Sequence, residues 1–272
     1  MTETTTQSRG ALMHRIRRAL PATIAFVLLL VAWEAACRIF HVPDYLVPSP
    51  SAIVAVIVKT WTPIIDNSAV TLLEAAAGLL LSIVVSVPLG ILIVSSPTIE
   101  RVVYPFLVAS QAVPKVALAP IFVVWFGFGL LPKVLIAFFI AFFPIVVNTV
   151  VGMSRTPADM IHLMRSLGAS RTQILLRVRL MAAAPYIFAG VKIASAFAVV
   201  GAIVGEFIAA DSGLGYMQLV ADNNLQTPLL FGTLVALSVM GIGLFYLVAL
   251  VEVLVLPRPL RQARVDEGGA TP

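Results

Sequence analysis

The chain is short of almost everything that soluble chemistry is built from. It has one cysteine, Cys37, and three histidines, His14, His41 and His162. One cysteine excludes any disulfide within the chain and any cysteine-built metal site. The histidines stand far apart and, like the aspartates, fall outside the long apolar runs. That leaves no Ser-His dyad, no aspartyl pair and no His-carboxylate cluster at membrane depth. Charge is scarce too, at 11% of residues against about 25% in a typical soluble domain. A glycine-rich phosphate loop is also missing. Lys59-Thr60 is the only Lys followed by Ser or Thr, and no glycine leads into it. The chain therefore does not hydrolyse ATP through such a loop.

What is present is apolar. Hydrophobic residues make up 60% of the 272, and the mean hydropathy is +1.03. About 20 apolar residues cross a bilayer core, and in lipid the backbone must satisfy itself, so each such run is a helix. The runs fall at roughly 20–40, 69–95, 102–126, 133–152, 185–210 and 229–256. The expected fold is an all-α membrane protein with six transmembrane helices. Its parts are an N-terminal tail, 1–19, a six-span domain, 20–256, and a C-terminal tail, 257–272. Residues 1–10 are polar and are expected to lack fixed structure.

Charge orients the spans. Arg15, Arg17 and Arg18 flank the first. Arg155, Arg165, Arg171, Arg177 and Arg179 lie in 153–185, and Arg258, Arg261 and Arg264 follow the last. The intervening loops carry Asp44, Asp66, Asp211 and Asp222 instead. The positive-inside rule then puts both termini and 153–185 in the cytoplasm. The net charge of +5 reads as topology and needs no nucleic-acid partner.

Several details follow. Val47-Pro48-Ser49-Pro50-Ser51 reads as the entry to a short helix, with Ser51 as its cap and 52–61 amphipathic along the outer surface. Glu34, Glu74, Lys115, Lys133, Lys192, Glu206 and Glu252 lie in or near spans, mostly near their ends, where snorkelling accounts for them. Lys192 and Glu206 share one helix face about four turns apart and are candidates to line a pathway. Phe138, Phe139, Phe142 and Phe143 enrich the fourth span, where they either face lipid or stack on a flat-ring solute.

The segment 153–185 is polar enough to leave the bilayer but keeps a helical apolar rhythm. Met160, Leu163, Met164 and Leu167 fall at i, i+3, i+4 and i+7. Thr156 and Pro157 suit an N-cap and first helical position, Asp159 suits the positive end of the helix dipole, and Gly168 ends the helix. A second helix, about 171–181, turns Ile174, Leu175 and Val178 inward and its arginines outward. Such a pair is either a surface element packed on the span ends or a docking element for a soluble partner.

The chain resembles the inner-membrane permease subunits of bacterial ABC importers. The family loop reads Glu-Ala-Ala, three residues, Gly, nine residues, Ile-x-Leu-Pro. Gly168, Val178 and Leu180 match it; His162-Leu163-Met164 replaces Glu-Ala-Ala, and Met181 replaces the proline. Val47-Pro48-Ser49-Pro50, Ala119-Pro120-Ile121-Phe122, Gly205-Glu206-Phe207 and Gly213-Leu214-Gly215-Tyr216 are similar to the nitrate, sulfonate, taurine and thiamine-precursor branch. The resemblance implies a type I importer permease fold with both termini inside a bacterial inner membrane. It implies ATPase-coupling contacts at Met160, His162, Leu163, Met164, Leu167, Gly168 and Ala169, and Phe139, Phe143, Lys192 and Glu206 are candidates for the path. It also implies as partners a cytoplasmic ABC ATPase dimer holding the ATP and Mg, a second permease copy, a periplasmic or lipid-anchored solute-binding protein, and lipid. The chain itself would hold no cofactor. The alternative is a stand-alone secondary transporter or channel, which would call for inverted repeats and intramembrane charge pairs. The sequence displays neither.

Overall fold

Many large side chains on the long helices point outward. Leu73, Leu80, Val84, Val239, Ile242, Tyr246 and Leu250 are all exposed. In water that would be a liability; for helices that face hydrocarbon it is the expected surface. The computed structural model describes the backbone of residues 3–256 and the side chains of 20, 21 and 23–256. The arginines 258, 261 and 264, the side chains of Arg15, Arg17 and Arg18, and the tail 257–272 lie outside the described residues.

The elements are α1 (Glu3–Ile39), α2 (Pro50–Lys59), α3 (Trp61–Ser95), α4 (Pro97–Ser110), a 3-10 turn (Lys115–Leu118), α5 (Ala119–Phe126), α6 (Leu130–Ser154) and α7 (Ala158–Ser166). Then come α8 (Arg171–Ala209), α9 (Leu214–Asn223) and α10 (Thr227–Val255). Among the described residues no strand forms. α1 starts at Glu3, inside the stretch expected to lack structure.

Among the described residues four helices are long and apolar enough to cross a membrane: α3, α6, α8 and α10. Each covers one of the predicted spans to within a residue at its end. The predicted span 102–126 is instead two helices, Pro97–Ser110 and Lys115–Phe126, bent by 85°. Pro114 explains the break: it lacks an N–H, and its ring drives Val113 away from helical geometry. Counting the bent pair as one span makes five. The predicted span 20–40 lies in α1.

Two compact units divide the chain, Met1–Trp61 with Val220–Gly232, and Thr62–Leu219 with Thr233–Pro272. In the smaller unit α1 meets α2. Glu34 of α1 accepts the Ser51 N–H at 3.0 Å and the Ser51 hydroxyl at 2.8 Å, and it pairs with Arg38 at 2.6 Å. Ser51 is thus not the cap of α2. Ser49 is, its Oγ accepting from the Ala52 N–H at 3.3 Å, because Pro50 takes the first helical position and moves the cap one residue earlier.

The larger unit is built on α3, α6 and α8. α6 and α8 pack through small residues, with Ala137 and Ala141 facing Ala194, Ala198, Gly201 and Ala202, all buried. A Cβ on Gly201 would sit 2.5 Å from Ala137 Cα, so only glycine permits this approach. Across α3 and α6, Ser82 and Ser86 donate to the carbonyls of Phe138 and Phe142, each at 3.0 Å. α8 runs unbroken from the 153–185 segment through the whole unit, where two elements were expected. Its 39 residues make it about 58 Å long.

Candidate functional site

The loop between α6 and α8 carries a short, self-contained helix. α7 buries none of its residues. Leu163 is 60% and Leu167 72% exposed, Met160 and His162 are also open, and Met164 and Ala169 are half-buried. The structure therefore brings the seven expected coupling residues together on α7 and the turn that follows it, with Met160, Leu163 and Leu167 uncovered.

Local chemistry fixes that element. Asp159 stands in the first turn. Thr156 is not the cap: it is buried, and its hydroxyl donates to the Met153 carbonyl at 3.0 Å, satisfying the end of α6 instead. Pro157 occupies the cap position of α7. At the other end Ala169 N–H reaches the Met164 carbonyl at 2.9 Å, and Gly168 N–H the Arg165 carbonyl at 3.0 Å. That is a Schellman turn, and Gly168 holds its left-handed position at φ +81°. Two residues later a capping box starts α8: Ser170 Oγ accepts the Gln173 N–H at 3.2 Å, and the Gln173 side chain accepts the Ser170 N–H at 2.8 Å. The next stretch, Ile174–Arg179, winds as π-helix, with Ile174 and Val178 buried as the sequence pattern predicts.

The opposite end of α8 is a buried polar cluster. Glu74 of α3 is 0%, Glu206 of α8 1% and Lys133 of α6 5% exposed. Lys133 pairs with Glu74 at 2.5 Å. Beyond that ammonium, neither Glu74 oxygen has a hydrogen-bond partner. Glu206 accepts from the Thr71 hydroxyl at 2.6 Å and from the Gly215 N–H at 2.5 Å. Thr71 accepts the Leu214 N–H at 2.8 Å, and Asn67 the Gly213 N–H at 2.7 Å. Successive amides of the 213–215 turn are thus held by side chains of α3 and α8. Gly213 has φ +107°, and a Cβ there would run into the Glu206 carboxylate.

This corrects the snorkelling expectation for Glu74, Lys133, Glu206, Lys192 and Glu252. These groups do not reach for water; each is paired across helices, Lys192 with Glu252 at 2.6 Å. It also corrects the apparent lack of intramembrane charge pairs. Partners 59 and 60 residues apart in sequence leave no local signal.

The four path candidates are not brought together. Glu206 is taken up by the cluster and Lys192 by Glu252. Phe139 stacks on Phe122 with ring centroids 5.2 Å apart, and the Lys115 ammonium lies 4.6 Å over the Phe143 ring. Both phenylalanines are half-buried. Sequence reasoning missed Thr71 and Asn67, and it gave Lys115 no aromatic partner. Only the glycines of 213–215 hinted that a turn approached something closely.

Comparison with known proteins bears on both ends. The family described as binding-protein-dependent transport system inner membrane component matches residues 78–261, which include the loop and the Glu206 turn. A formylaminopyrimidine transport permease protein of Halalkalibacterium halodurans is 38% identical over 246 residues, covering 90% of this chain and 98% of that protein. A probable ABC transporter permease protein of Haemophilus influenzae is 34% identical, covering 85% and 94%. A riboflavin transport system permease protein of Chloroflexus aurantiacus is 35% identical, covering 86% and 88%.

Proposed function

The chain belongs to the family of binding-protein-dependent transport system inner membrane components, and from that premise we propose that it is the membrane path of an ATP-driven importer of a small solute into a bacterial cytoplasm. As an ABC transporter permease it is a transport component and not itself a catalyst. In this reading it spans the inner membrane six times with both termini inside. Two copies enclose the path, a cytoplasmic ATPase pair holds the ATP and Mg, and a solute-binding protein outside delivers the cargo.

The observation that carries the reading is α7, which holds apolar side chains in the open on a loop rich in arginine. Such a face suits a groove in a soluble partner. Its mounting suits a lever: the Schellman turn and capping box tie α7 to α8 with no slack residue between them. A displacement of α7 is then carried along a single helix to the Glu206 cluster about 50 Å away. ATP-driven closure of the partner would move α7, and the far end of α8 would move the 213–215 turn.

For the cargo we favour a flat-ring compound of the thiamine-precursor or riboflavin type over a nitrate-, sulfonate- or taurine-type anion. The names borne by two relatives support this, and so does the aromatic row on α6, with Phe139 and Phe143 as path candidates. A cationic lining would suit an anion better, but Lys192 and Lys133 are already neutralised by Glu252 and Glu74.

The test is co-purification in detergent with the ATPase encoded beside it. Wild type should hold the ATPase, and Leu163→Arg should lose it while remaining monodisperse. A complex undisturbed by Leu163→Arg would move the docking site off α7, and failure of wild type to bind any cellular ATPase would favour a stand-alone transporter.

A further inference from the structure

α7 has a second side. Ile161 and Arg165, one turn apart, turn away from the apolar face and line a cavity of about 490 Å³ against Arg171, Thr172 and Arg179 of α8 and the α3–α4 junction. The cavity gathers three guanidiniums and one carboxylate, Glu100, whose Oε1 is already engaged by the Ser154 hydroxyl at 2.7 Å. The ion pairs among the described residues are Arg38–Glu34, Lys133–Glu74 and Lys192–Glu252, so none neutralises these arginines. Arg171 and Thr172 open the 39-residue α8, and their two amides, ahead of the capped Gln173, have no acceptor within the helix. Positive side chains and a positive helix end therefore converge on one space. Planar guanidiniums and free amides are the donors a phosphate group takes.

The rest of the wall decides which phosphate. Val94, at the end of the membrane-crossing α3, joins Ile174 and Leu175 as apolar lining beside the arginines. A free ion has no use for that wall, but a lipid does: its headgroup meets the arginines while its chains follow α3 into the bilayer. We propose that this cavity holds the phosphate headgroup of an anionic phospholipid from the leaflet that faces the loop. The proposal rests on the cytoplasmic placement of the loop, where anionic lipids concentrate and basic pockets between spans collect them. An occupant there would brace α7 from behind while its apolar face stays free for the ATPase.

The test uses the full chain with its ATPase, delipidated in mild detergent and then offered phosphatidylglycerol or phosphatidylcholine at equal mole fraction. Retained lipid is counted by native mass spectrometry. Wild type should keep phosphatidylglycerol in at least about ten-fold preference. The combined Arg165→Gln, Arg171→Gln and Arg179→Gln variant should lose that preference, and Arg177→Gln, an exposed arginine outside the cavity, should keep it. If the triple variant is not monodisperse, Arg171→Gln alone should lower the preference several-fold. Equal retention of the two lipids by wild type, or a preference that survives these substitutions, overturns the proposal. Displacement of phosphatidylglycerol by millimolar inorganic phosphate, with no lipid preference left, also overturns the lipid as occupant and makes the site one for a soluble phosphate. Because the ATPase is in the same preparation, its retention reports separately on the permease reading.

Discussion

At one end of α8 apolar side chains stand in the open; at the other, two carboxylates and an ammonium are buried. Both arrangements invert what a soluble domain does, and they do so differently. The α7 end is assembled from consecutive residues, 156–173, each constraining its neighbour. The Glu206 end is assembled from Asn67, Thr71, Glu74, Lys133 and the 213–215 turn, brought together only by the packing of α3, α6 and α8. An exposed apolar helix waits on an outside partner. A buried ion pair already has its partner, and its cost comes when one member is removed.

That contrast can be broken by substitution. The largest effect should come from Lys133→Ala, which takes the ammonium away from the buried Glu74 carboxyl, leaves it facing Glu206, and should cost about 3–5 kcal/mol. Thermal unfolding in detergent would show it as a large fall in midpoint, and Glu74→Gln combined with Lys133→Met should recover most of the loss. A midpoint unmoved by Lys133→Ala would mean the pair is not buried as described. Next, Gly168→Val forces a β-branched residue into a left-handed position, at about 1–3 kcal/mol. Nothing lies within 4 Å of the added Cβ, so the fold should survive while α7 is re-aimed. ATP hydrolysis should continue and uptake should fall at least ten-fold; normal uptake would show that the turn sets no coupling geometry. Thr71→Val removes the hydroxyl that serves both Glu206 and the Leu214 N–H, and should cost about 2 kcal/mol. Hydrogen exchange should then quicken at 213–215 and not at 163–170. Equal change at both places would deny that the two ends are built separately. The smallest effect is Ser170→Ala, about 1 kcal/mol for a lost cap, read as faster exchange at Gln173. No change there would leave the start of α8 resting on tertiary packing alone.

The same contrast explains what the sequence made legible. Four of the long apolar runs, the rhythm of Met160, Leu163 and Leu167, and the stop at Gly168 are all local patterns, and the structure carries them where they were read. Caps were off where a neighbour competed: Pro50 passed the role from Ser51 to Ser49, and the end of α6 claimed Thr156. Pro114 is the local sign of the bend; its 85° angle was hidden because 102–126 stays apolar on both sides of it. The charge pairs were illegible because a lone glutamate in an apolar run looks the same whether it snorkels or meets a lysine on another helix.

The continuity of α8 also sets a rule about length. Each residue of an α-helix turns its successor by about 100°. One residue added between Ala183 and Gly201 would therefore leave the loop end untouched and swing Glu206 away from Thr71 and Gly215. Substitutions along α8 change a surface, whereas an insertion changes the phase between its two ends. The π-helical turn Ile174–Arg179, wound with longer hydrogen-bond steps, is the place where the helix already takes up such a phase difference. The chain should accept a change of length in that turn more readily than at any point beyond it.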